Sequence, residues 1–278
     1  MNESFAPNGT ATGLVATMIA TIAVASANAS GQTSVTVTIE NLAPPNGGFL
    51  TPVWVGFHDG GFDLYDRGAA ASQELERIAE DGNTDPLTAA FAASGNGVEQ
   101  GTLISDFGIP PLAPGETATM KFTLDGNDAS SRYFSYASMV IPSNDAFTAN
   151  GNPRAHRIFN RGGHFRGVDF IVWGTDVLDA GTELNDEDPE NTAFFGQAMP
   201  NTGQDENVGI HPHPGLMFTG SGGILDDPMF ENADFLTNDY MIARITVSSS
   251  DDDDSDDDSD DDSDDDSSDG DNDEDSDS

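Results

Sequence analysis

The sequence predicts an all-β protein: a single antiparallel β-sandwich, with short helices in one inter-strand loop and a disordered acidic C-terminal tail. Three observations carry this expectation. Apolar residues alternate with polar ones at period two in several short segments. Glycine (30) and proline (15) punctuate the chain between those segments. A 278-residue chain that is 36% hydrophobic has apolar side chains enough for one large core.

The elements follow in order. "SVTVTIE" (34–40) sets Val35, Val37 and Ile39 against threonines, the pattern of a strand with one buried face. "NLAPPNGG" is a turn cluster, and "FLTPVWVGFH" (49–58) reads as the next strand, with Pro52 near its start. Residues 71–94 break the pattern. Leu75, Ile78 and Ala79 fall at helical spacing behind Ser72 as N-cap, and Thr84 or Asp85 before Pro86 opens a second short helix. "ETATMKFTL" (116–124) and "RYFSYASMVI" (132–141) are strands joined by "DGND" (125–128), which reads as a hairpin turn. "GVDFIVWG" (167–174) and "YMIARITVS" (240–248) complete the series.

The two ends of the chain differ from this body. Residues 13–29, "GLVATMIATIAVASANA", are uncharged, small and apolar, and end in Ala-x-Ala triplets. The run is short for a membrane span and suits an export signal cleaved after Ala27 or Ala29, although its flank carries Glu3 and no base. Residues 251–278 hold 19 acids and no base and can form no core. "DGDNDEDSD" lacks the glycine and glutamate of a calcium-binding EF-hand loop. The domain plan is therefore a signal-like segment over 1–29, a sandwich over 30–248 and a tail over 249–278.

The formal charge of −41 excludes partners held by phosphate contacts. Removing the tail's 19 acids from the total of 50 leaves 31 against 9 bases, so the body alone carries −22. Such a field repels nucleic acid and anionic membranes and attracts cations; with Lys121 the single lysine, the composition is that of a halophile's protein. The absence of cysteine excludes disulfides, thiol catalysis and cysteine-bound zinc.

Two strand ends present carboxylates. "SMVIPSNDAF" (138–147) breaks at Pro142 and offers Asp145, and "WGTDVLDAGTE" (173–183) offers Asp179 and Glu183 around a glycine turn. Loops of a sandwich cluster at its two ends, so these acids are candidates to meet, with Asn144, Asp176 and Asn185 at hand to complete an oxygen shell for calcium. The competing reading is that Asp145 caps a turn and the Asp-Ala-Gly-Thr-Glu segment is merely exposed.

"SMVIPSNDAF" followed by "LDAGTE" resembles the spondin N-terminal domain family. "LTPVWVGFHDGGFDLYDRGAAASQELERIAEDGNTDPL", "HPHPG" and "IARITV" extend the resemblance over about residues 34–248. The resemblance implies a single antiparallel sandwich that binds Ca2+ through Asp145, Asp179 and Glu183. Glu183 stands where the animal proteins have aspartate, and Ala146-Phe147 replaces their tryptophan.

His211 and His213 in "IHPHPG" share a face if that segment is extended, and His58 is a third candidate for a transition-metal set. The alternative is hydrogen-bonded loop histidines near the lower end of the domain. No serine-hydrolase elbow, metalloprotease helix or phosphate-cradling loop occurs. "RAHRIFNRGGHFRG" (154–167) gathers Arg154, Arg157, Arg161 and Arg166, either to bind an anionic glycan or acidic partner or to pair with neighbouring acids.

The expectation is a secreted or cell-surface calcium-binding module, not an enzyme. It acts by adhesion to an extracellular protein or glycan, without nucleic acid and without membrane insertion once the signal is removed. The rivals are a metal-dependent hydrolase using His58, His211 and His213, and a purely structural surface-layer accessory protein.

Overall fold

The computed structural model describes residues 31–250. The expected export segment and the acidic stretch beyond Ser250 lie outside the described residues. Twelve strands and two helices follow in the chain: β1 (Gln32–Asn41), β2 (Phe49–Leu50), β3 (Val53–His58), α1 (Gln73–Asp81), α2 (Asp85–Ser94), β4 (Gly97–Leu103), β5 (Thr117–Asp125), β6 (Tyr133–Ile141), β7 (Ala146–Ala149), β8 (His156–Arg157), β9 (Val168–Trp173), β10 (Leu178–Asp179), β11 (His211–Pro212) and β12 (Met241–Ser249). All pairings are antiparallel. One sheet runs β5-β1-β12-β9, and the other β11-β10-β7-β6-β3-β4, with β2 and β8 also on β6.

The alternation in β1 does what its period requires. Val35, Val37 and Ile39 are buried and meet Val55, Phe57, Phe134 and Tyr136 of the other sheet in one core. Each fully buried aliphatic side chain contributes roughly 1.5–3 kcal/mol, which favours this register over a one-residue slip.

β3 is different, because all six of its residues are buried. Its odd positions face the sandwich core, while Trp54 lies on the outer face under Leu75 and Ile78 of α1 and Leu87 and Phe91 of α2. Trp54 keeps its indole N–H satisfied by donating to Gln100 Oε1 at 2.9 Å. Gly56 makes room for this layer: a Cβ there would sit 2.5 Å from the Trp54 ring.

The first helix starts at the expected cap. Ser72 Oγ accepts from the Leu75 amide at 3.3 Å, and Gly82 ends α1 in the left-handed conformation at φ 63°. Thr84 precedes α2, but its hydroxyl bonds Thr102 at 2.9 Å and caps nothing.

Several expectations need correction. "FLTPVWVGFH" is two strands, because the Thr51 hydroxyl and carbonyl are engaged by Ser138 and Met139 and Pro52 has no N–H to give a ladder. "DGND" is not a hairpin turn: β5 and β6 belong to different sheets, and the chain crosses between them through a single-turn 3-10 helix (Ala129–Ser131) capped by Asp128. β4, rich in Gly and polar residues, and the short β7, β8, β10 and β11 carry too little alternation to be read as strands in advance. The last strand includes Ser249, which pairs with Val35.

Candidate functional site

Asp145 lies in the turn between β6 and β7, and that turn is held by its neighbours. Ser143 Oγ donates to the Val140 carbonyl at 2.6 Å and accepts from the Ala146 amide at 3.2 Å. β10 lies beside β7, with Asp179 opposite Ala146 on one side and His211 of β11 on the other. The Ala180 amide donates to the Asp145 carbonyl at 3.2 Å. Sheet pairing therefore carries the 179–183 turn onto the Asp145 turn.

Asp145 Oδ2 accepts from the Thr182 amide at 2.9 Å, the Thr182 hydroxyl at 3.2 Å and the Glu183 amide at 3.1 Å. Asp145 is thus a cap, as the plainer reading of the sequence supposed. Its other oxygen, Oδ1, is buried with no hydrogen-bond partner among the described residues. The Asp-Ala-Gly-Thr-Glu segment is not exposed: Asp179, Ala180, Gly181 and Glu183 are all buried. Gly181 adopts φ +68°, and its amide donates to Asp179 Oδ1 at 2.7 Å, closing the turn.

The remaining oxygens divide between partners and none. Asp179 Oδ2 takes the Asn185 side-chain amide and has His211 Nε2 at 3.8 Å. Glu183 Oε1 accepts from the Gly203 amide at 2.9 Å, while its Oε2 is buried and unpartnered among the described residues. Burial pushes the Asp145 carboxyl up to about 6, with the Asp179 charge adding to it. Burial likewise raises Glu183 to about 7, and the charges of Asp145, Asp81 and Asp186 add to that rise against the Gly203 hydrogen bond.

Sequence reasoning missed one member of this cluster. Glu80 of α1 is buried with Oε2 making no hydrogen bond and only a long ion pair to Arg77, and burial together with the Glu183 charge raises it to about 8. The signal was faint: Glu80 borders the Leu75-Ile78-Ala79 stripe at a position ordinarily solvated. Arg77 makes an ion pair with Asp81 and stands 3.7 Å from Glu80.

Of the other oxygen donors, Asp176 and Asn185 serve structure, while Asn144 Oδ1 is buried without a hydrogen-bond partner among the described residues. Asp176 Oδ2 accepts from the Trp173 amide at 3.0 Å, on the surface. Asn144 donates to Asp186 Oδ1 at 3.2 Å. Asn185 links the cluster to His213, whose Nε2 lies 3.1 Å from Asn185 Oδ1.

The three-histidine set does not assemble. His58 is on β3, and its ring nitrogens are engaged by Ser135 Oγ at 2.8 Å and the Gly60 amide at 3.1 Å. In the sheet order β3 is four strands from β11, roughly 19 Å at about 4.8 Å per strand. His213 is buried beyond the end of β11, where burial lowers it to about 4, while His211 is half-exposed. His211 and His213 buttress Asp179 instead of standing apart at a lower end.

Three buried carboxylates without a neighbouring cation form a donor set suited to a hard divalent ion. Among the described residues, however, no three His, Asp or Glu side chains are already arranged to hold a metal. The backbone brings Asp145, Asp179 and Glu183 into electrostatic reach, while Glu183 stays turned to Gly203.

Residues 48–149 match the family model Spondin_N. The match spans β2 to β7 and includes Asp145 but not Asp179 or Glu183, a shorter stretch than the resemblance read from the motifs. No curated protein matches the chain. No helix among the described residues is long and apolar enough to cross a membrane.

Proposed function

With residues 48–149 matching the Spondin_N family as premise, we propose that this chain is an adhesion module of the cell surface or extracellular matrix. It acts by binding an extracellular protein or glycan, and one calcium ion stabilises the end formed by Asp145, Asp179 and Glu183. The observation that supports the calcium reading is Asp145: its Oδ1 is buried and unpartnered among the described residues, beside the Asp179 charge and inside the matched segment. Calcium would supply the positive charge that these carboxylates lack and tie the β6–β7 turn to the 179–183 turn. Glu183 would give up its bond to Gly203 to take part.

Equilibrium dialysis against radioactive calcium tests the ion: one site per chain is expected, and lost in Asp179→Asn. Stoichiometric zinc with no calcium would reject it. A glycan and surface-protein pulldown with and without calcium tests the adhesive role, and calcium-independent failure to retain any ligand would favour a purely structural accessory.

A further inference from the structure

A cleft of about 410 Å³ opens beside α1, on the flank of the 179–183 turn. Ala70 and Ala71 ahead of the helix, Glu76 and Glu80 on it, and Asp205 and Val208 of the segment leading to β11 all face it. Small-molecule sites run from roughly 300 to 1,000 Å³, so the cleft is large enough to take a ligand.

Backbone bonds build its walls. The Gly68 amide donates to the Ile210 carbonyl at 2.8 Å, and the Ile210 amide to the Ala69 carbonyl at 2.9 Å. The Glu206 and Val208 amides donate to the Thr182 and Gly181 carbonyls at 3.0 and 2.9 Å. A Cβ at Gly209 would lie 2.3 Å from the Gly68 carbonyl oxygen, so glycine is what lets these segments close up. On the far side the Asn201 amide donates to Asp81 Oδ1 at 3.2 Å, tying the segment to the end of α1.

The charge of the cleft is one-sided. Asp205 is exposed and Glu76 half-buried, whereas Glu80 is only 2% exposed and forms the deepest acid. No base among the described residues lines the cleft. Glu80 Oε2 makes no hydrogen bond and reaches Arg77 only at 3.7 Å, and that guanidinium also serves Asp81. Behind the turn Glu183 Oε2 is buried without a hydrogen bond, and Glu76, Asp205 and Glu206 form no ion pair among the described residues.

A bare metal ion does not suit this arrangement. Among the described residues no three acids are gathered closely enough to hold one, and those of the cleft are spread along its length. Apolar surface from Ala70, Ala71 and Val208 stands among them. A ligand that satisfies both needs a cationic head on an apolar stem, the form of a lysine or arginine side chain.

We propose that this cleft binds an alkylammonium or alkylguanidinium group, with the charge on Glu80 and the methylene stem along Ala70, Ala71 and Val208. A free diamine offers that chemistry, and so does a lysine or arginine of an extracellular protein. The inference does not rest on the calcium reading, because it needs neither Asp145 nor Asp179.

The test is an amide-shift titration of the isotope-labelled full chain, at about 0.15 M salt so that long-range attraction is screened. Cadaverine should shift the Ala71, Glu80, Thr182 and Val208 amides saturably and leave Gly162, in the connection from β8 to β9, unmoved. Glu80→Gln keeps the shape without the charge and should weaken binding at least about tenfold, as loss of a hydrogen bond to a charged group does. Ala70→Trp, at an exposed position, should block entry with amide dispersion unchanged, and it decides the matter if Glu80→Gln does not fold. Asp179→Asn should leave binding intact, so this site and the calcium site fail separately. Shifts from cadaverine alone would assign the cleft to free diamines, and the same shifts from Nα-acetyl-lysine-methylamide would assign it to a partner's side chain. Undiminished binding in a folded Glu80→Gln protein would overturn the proposal. So would equal shifts from n-pentanol, which has the stem without the charge, or cadaverine shifts confined to residues 251–278.

Discussion

β6 runs between two clusters of charge that the fold treats in opposite ways. At its start, the 154–166 segment puts Arg154, Arg161 and Arg166 into water, where solvation satisfies them. Beyond its end, Asp145, Asp179, Glu183 and Glu80 are each no more than 3% exposed, and three of the four keep a buried oxygen with no hydrogen bond among the described residues. An exposed charge costs almost nothing to leave single, whereas a buried one must find a proton, a donor or a counter-ion. The two ends of one nine-residue strand therefore differ in what they demand. The acidic end is where stability should depend on ligand and pH, and the basic end is where it should not.

The largest expected effect is on the acidic end. Saturating calcium should stabilise the protein by roughly 2.7 kcal/mol at a hundred times the dissociation constant. For a body of this size that is about 5–10 °C in melting temperature. Asp179→Asn should abolish most of that rise, and Glu183→Asp, which restores the animal pattern, should keep it. A full calcium response in Asp179→Asn, read by differential scanning calorimetry, would put the ion elsewhere and remove this half of the contrast.

Acidity sharpens the same point. Asp145, Glu183 and Glu80 have folded-state values raised to about 6, 7 and 8. In the unfolded chain such groups lose their protons near pH 4, but His58, His156 and His213, which burial holds to about 4 in the fold, stay protonated up to about 6.5 when unfolded and offset them. The folded state thus binds more protons than the unfolded one between about pH 6.5 and 8. Calcium-free stability should therefore fall as pH rises through that window, by a few kcal/mol in all, and level off above it. Calcium, which favours the ionised carboxylates, should flatten the fall. Urea melts at several pH values test this, and stability that rises from about pH 6.5 to 8 without calcium would contradict it.

A smaller effect separates the histidines from the acidic end. His58→Ala leaves the buried Ser135 hydroxyl and the Gly60 amide without their partner, a cost of about 1–3 kcal/mol. The calcium-dependent shift should survive unchanged, because β3 is four strands from β11. A lost calcium response with the fold retained would connect the regions that the sheet order separates. At the basic end, Arg161→Gln and Arg166→Gln should each change stability by less than about 0.5 kcal/mol, as single exposed charges do. A larger loss in chemical denaturation would show those arginines to be structural.

What the sequence determined by itself is what short-range physics decides. The period-two run Val35-Val37-Ile39 specifies which face of β1 is buried, and Ser72 marks the start of α1 through a bond made within one turn. Asp145 could be picked out because its motif is local. The tertiary structure alone decided the rest, because strand partnering and charge burial depend on residues far away along the chain. "DGND" has the residues of a hairpin, yet β5 pairs with β1 and β6 with β3, since each strand's apolar face is best covered there. Glu80 belongs on a helix surface by sequence, and only the packing of α1 beside the 182–183 turn makes it a buried acid. The same distinction accounts for the two ends of β6: residue type determines the sign of each charge, and tertiary burial determines whether that charge needs a partner.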